Sequence, residues 1–189
     1  MKSTAIFAVL LCLSTNALAQ EKTIDQKPLT EVEAFLRTKG QIIVKEFHEL
    51  RSISGEYGSH LTIGTLILYD PGSPSKKRKG LRIVVKEGGR LERENISFLD
   101  VEEIEALSKG LTYMNKVANE WKGKPREYTE MIFSTKGDFQ VGFYINKEGD
   151  LGAFAKSGLI GSTSVHLDQD SMGFLKKAAD DGLVYLSAR

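Results

Sequence analysis

The chain has 189 residues, with 26 Lys and Arg against 25 Asp and Glu and a formal net charge of +1. A hydrophobic share of 41% suits a folded core, and the balanced charge argues against nucleic-acid or anionic-membrane binding driven by the whole surface. A single cysteine, Cys12, excludes a disulfide within the chain.

The first segment predicts export. Lys2 gives a positive start, Ala5–Leu13 an apolar run, and Ala17-Leu18-Ala19 the small-x-small pattern of a cleavable signal peptide over residues 1–19. That run is about half the ~20 residues a spanning helix needs. Acylation at Cys12 is disfavoured, because bulky Leu11 precedes it where a small residue is required. Cleavage between Ala19 and Gln20 would place the protein in the periplasm or outside the cell. It would also leave equal numbers of basic and acidic residues and no thiol. No later segment is apolar enough to predict a transmembrane helix.

Residues 20–29 are polar, reach Pro28, and read as a flexible leader to a single domain over 30–189. Thr30 and Glu33 form a capping box for a short helix carrying Val32 and Leu36, with Gly40 as its stop. Residues 41–50 and 61–69 predict strands, separated by Gly55 and Gly58. A loop over Asp70–Gly80 holds the basic run Lys76, Lys77, Arg78 and Lys79, and strands at 81–86 and about 91–99 follow. Asp100 and Glu103 then open a helix whose apolar residues Ile104, Leu107, Leu111, Met114, Ala118 and Trp121 alternate in spacings of three and four. Gly123 and Pro125 end it. Strands are predicted again over 127–135, 139–146, 151–156 and 163–167. Asp168 caps a last helix that Gly182 is expected to stop before a closing strand at Leu183–Leu186.

The order of events repeats. Leu99-Asp100 and Leu167-Asp168 open the two long helices, and Ile104/Met172, Leu107/Leu175 and Lys109/Lys177 follow at the same offset. The expected fold is therefore α+β, an antiparallel, sheet-rich single domain. It reads as a tandem strands-then-helix duplication with halves at about 41–123 and 127–186 and two helices packed on the sheets. In topology alone, such a pair resembles the Whirly-type fold, whose paired ββββα units occur in single-stranded-DNA-binding proteins. None of that group's signature motifs is present, and export with balanced charge opposes nucleic acid as the partner.

Chemistry-bearing motifs are sparse. Lys76, Lys77, Arg78 and Lys79 could contact an anionic ligand or serve as a solvated hairpin tip; the second reading is favoured. His48, His60 and His166 fit no metal-ligand spacing. His166 and Asp168 could share a face as part of a metal site or an acid–base pair, but Asp168 is also a helix cap, and Phe98 holds the place of His166 in the other half, which points to a packing position for His166. There is no nucleophile elbow, phosphate loop or cofactor motif, and no metal site or cofactor is expected. Asn95-Ile96-Ser97 has the form of a glycosylation sequon. The sequence thus predicts an exported, non-enzymatic binding or accessory protein with a protein or polysaccharide partner. The alternative is a hydrolase gathering scattered His, Asp, Glu and Ser residues. Self-association through the long helix is a third expectation.

Overall fold

The computed structural model describes residues 28–90 and 92–189; the signal segment with Cys12, Ala19 and Gln20, and most of the leader, lie outside the described residues. A short helix α1 (Glu31–Arg37) precedes strands β1 (Val44–Ser54), β2 (His60–Tyr69), β3 (Arg78–Lys86) and β4 (Glu94–Asp100), then helix α2 (Val101–Trp121). Strands β5 (Thr129–Ser134), β6 (Phe139–Ile145), β7 (Leu151–Ser157) and β8 (Thr163–Leu167) follow, and helix α3 (Gln169–Ser187) closes the chain. Each set of four strands makes its own antiparallel sheet in sequence order. The fold is a single-domain α+β structure, as expected.

Alternation along the strands decides which face is buried. Leu61, Ile63, Leu81, Ile83 and Leu99 of the first sheet and Phe139, Val141, Phe143 and Val165 of the second point into one shared core. The apolar stripe of α2 enters it through Ile104, Leu107, Leu111 and Met114, and α3 through Met172, Leu175 and Ala179. Trp121 packs edge-on to Phe143 with ring centroids 5.5 Å apart. The long helix is therefore a core element.

Polar contacts tie the halves together where the sheets meet. Ser97 and Ser157 share a buried hydroxyl bond of 2.7 Å. Asn95 Nδ2 donates to the carbonyls of Ser157 (3.1 Å) and Gly161 (2.9 Å), so the sequon amide is spent on holding the β7–β8 loop. Thr163 Oγ1 donates to the Val85 carbonyl.

The two long helices are joined at Asp180, whose carboxylate accepts from Lys176 Nζ (2.6 Å) and Ser108 Oγ (2.5 Å). The Lys176 bond, then the Ser108 bond, hold this carboxyl below its ordinary 3.8. A lowered folded-state pKa contributes stability above the unfolded value and loses it as pH falls through the folded one. Asp180→Asn is expected to shrink the loss of stability on acidification through the carboxylate range, read from urea midpoints. An unchanged acid slope would count against the link.

Two expectations are corrected. Gly182 does not stop the last helix: α3 continues to Ser187, and no strand forms at Leu183–Leu186. A Cβ at Gly182 would lie 2.8 Å from Leu81 Cδ2 and 3.2 Å from Leu50 Cδ1, so this glycine lets the helix approach the first sheet closely. The Asp70–Gly80 loop is also shorter than expected. Arg78, Lys79 and Gly80 belong to β3, paired with Leu68, Ile67 and Leu66.

Candidate functional site

The same register device appears in both sheets. In the first, Gly64 faces Arg82 and Leu66 faces Gly80 across β2 and β3. In the second, Gly142 faces Phe154 and Tyr144 faces Gly152 across β6 and β7. Each pair sets a glycine against a larger side chain on the face turned away from the shared core.

What lies over that face differs between the halves. On the first sheet, α1 sits on Leu66, Leu68 and Phe98 through Val32, Phe35 and Leu36. A Cβ at Gly80 would come within 3.1 Å of Val32 Cγ2, so the glycine makes room for the helix. On the second sheet no helix covers the corresponding face among the described residues. Tyr144 lies over Gly152, with ring atoms 2.3–2.7 Å from where a Cβ would stand, and Phe154 covers Gly142 in the same manner at 2.8 Å. Aromatic rings laid over glycines in this way restore the contact a bare backbone lacks.

The result is an aromatic surface on an exposed sheet. Tyr128 stacks beside Tyr144 at 5.9 Å, and Ile132, paired with Gly142, is 45% exposed. His166, paired with Phe154, is exposed at the next strand, with Gln140, Lys156 and Ser164 on the adjoining row. The Tyr128 hydroxyl donates to Glu130, which raises its pKa above the ordinary 10.0 and keeps the phenol protonated. The arrangement offers ring faces and a polar rim, with Glu130 and Lys156 supplying opposite charges. It suits non-covalent recognition.

Other sequence candidates fall elsewhere. Lys77 Nζ donates to the Arg189 carbonyl (3.2 Å) and Lys79 Nζ to the Leu186 carbonyl (3.0 Å), so two of the four cations serve the carbonyl end of α3. Arg78 pairs with Glu31 at 3.4 Å, and Lys76 is exposed. His48 stacks on Tyr185 at 4.4 Å, His60 pairs with Lys86 at one end of the first sheet, and His166 stands on the second. The structure does not bring them together, and no group of three or more His, Cys, Asp or Glu able to hold a metal occurs among the described residues. His166 is exposed, so the packing role read from Phe98 is corrected: Phe98 is covered by α1, and nothing comparable covers His166. Asp168 does cap α3, and the hydrogen bonds it accepts from Ser171 Oγ at 2.6 Å and then Ser171 N at 2.8 Å lower its pKa.

Alternation sets Tyr144 and Phe154 opposite the core-facing Phe143 and Ala153, but only the register lays them over glycines, which the sequence does not show. Gly142 and Gly152 inside two strand patterns were the available signal. No protein-family model matches the chain, and no curated protein or solved structure matches it significantly.

Proposed function

We propose that this is an exported, non-enzymatic binding module whose outer face on the second sheet holds a partner protein. The observation that carries the reading is the contrast between matching ends of the two sheets: α1 covers Leu66, Leu68 and Phe98 on the outer face of the first, and no helix among the described residues covers the corresponding Tyr144 and His166 on the second. Solvent-exposed apolar surface of this kind is stabilised by burial against a partner. A protein partner is favoured over a polysaccharide because a peptide segment is what covers the matching positions on the first sheet. Export is supported by Lys2, the apolar run Ala5–Leu13 and the small residues at 17 and 19. No helix among the described residues is long and apolar enough to cross a membrane.

The test compares the protein with its Tyr144→Ala/Phe154→Ala variant as baits for envelope and culture-fluid fractions of producing cells, with circular dichroism checking that both are folded. The expected result is a protease-sensitive component retained by the first and lost by the second. Equal retention by both would overturn the reading. A retained component that resists protease and yields to glycan hydrolases would replace protein by polysaccharide.

A further inference from the structure

The binding reading leaves the occupant open, and the structure narrows it. We infer that the second sheet docks a short amphipathic helix of the partner protein, one that carries a basic residue in its first turn. The inference rests on the reading above and adds the partner's chemistry.

The first sheet shows how such docking works. Val32, 0% exposed, presses onto Leu66 and over Gly80, while the first-turn N–H groups of Glu31 and Val32 donate to the Asp100 carboxylate at 2.8 and 3.3 Å. The Glu31 side chain meets Arg78. The corner that receives this turn is lined by Lys77, Arg78, Lys79, Asp100, Val101 and Glu102.

The second sheet repeats the corner. Counting along the strands from the paired glycines Gly80 and Gly152, and along the helices from Asp100 and Asp168, those six positions become Gly149, Asp150, Leu151, Asp168, Gln169 and Asp170. These same six, together with Lys122 and Gly123, line an open recess of about 540 Å³. Tyr144 takes the position of Leu66, and His166 that of Phe98. For a docked first turn the Tyr144 ring, which itself lies over Gly152 where Val32 lies over Gly80, is the apolar hold, and the recess supplies the polar one. Asp168 spends only Oδ1 on Ser171, through N and Oγ, and its Oδ2 enters neither bond.

The charge is reversed. Where Arg78 meets Glu31 on the first sheet, the second offers Asp150, which is exposed and bonded to Asn146, flanked by Asp168 and Asp170. Lys122, bonded to Gln169, is the cation among the lining residues. An acidic corner favours the positive end of a helix and a Lys or Arg in place of Glu31.

Two capped synthetic peptides test this against isotope-labelled protein by NMR: a copy of Leu29–Thr38, and the same peptide with Glu31→Lys. The Lys peptide is expected to shift the amides of Gly142, Gly152, His166 and Asp168. It should bind about threefold to tenfold tighter than the Glu peptide, as for one partly exposed ion pair, with the preference shrinking as salt is raised. Asp150→Lys in the protein should reverse the preference. The inference is overturned if neither peptide moves second-sheet amides, if both bind equally, or if the shifts fall on Gly64 and Arg82 of the first sheet. Should the peptides fail while the Tyr144→Ala/Phe154→Ala variant still loses its protease-sensitive component, the occupant is wrong and the face stands. Failure of both removes the binding reading itself.

Discussion

Replacing Phe143 by alanine is expected to cost about 3–5 kcal/mol, the range for emptying a fully packed aromatic site. Phe143 is 2% exposed and sits where β6 meets Trp121 of α2, so its loss loosens the second sheet and the long helix together. The lost transfer energy of the ring adds to a cavity that two rigid elements cannot easily close. Urea denaturation would show a lower midpoint with little change in slope. Phe154→Ala serves as the contrast, since Phe154 lies half-buried on the outer face, and a clearly smaller cost is expected there. Equal costs would mean that the two faces of the second sheet have been assigned wrongly.

Asp100→Ala is expected to destabilise by about 2–4 kcal/mol, because it leaves the buried Val32 N–H and the partly buried Glu31 N–H without their acceptor. Asp100 is 3% exposed, and its carboxylate receives the N–H groups of Glu31 and Val32. Removing it both orphans those donors and frees α1 from the first sheet. Asp168→Ala gives the internal comparison. Asp168 is exposed and caps only α3 through Ser171, so a cost of about 1 kcal/mol is expected, typical for a helix cap. Thermal or urea unfolding of the two variants would measure the difference. A matching loss at both positions would contradict the distinct roles given to these aspartates.

The two aspartates also show how far the sequence could be read. Both were legible as helix openings, and the α2 stripe from Ile104 to Trp121 was legible because a 3.6-residue period leaves few alternatives. That Asp100 turns its carboxylate to α1 was not, since the contact joins residues far apart in the chain and depends on where β4 delivers the helix start. Glu103 does return to the Asp100 N–H, at 3.2 Å, as the box spacing implied.

Glycine carried the errors. Gly182 has the local chemistry of a helix stop, yet the close approach of Leu81 and Leu50 makes a small residue valuable inside the helix. A glycine inside a strand is locally a weak point, and the meaning of Gly142 and Gly152 comes only from the register that lays Phe154 and Tyr144 across them. The basic run was the most visible local feature, but two of its cations are turned to the carbonyl end of α3, a partner remote in sequence. Local pattern recovered the elements and the core faces. Which outer face is covered, and by what, is a property of the assembled halves.

The proposed contact between the aromatic face of the second sheet and a partner protein can be trapped where it forms. A photo-crosslinking amino acid placed at position 154 in producing cells tests it most directly, with position 116 on the exposed side of α2 as the control. A discrete protein adduct is expected from position 154 and none from position 116. No adduct from 154, or the same adduct from both positions, would contradict it.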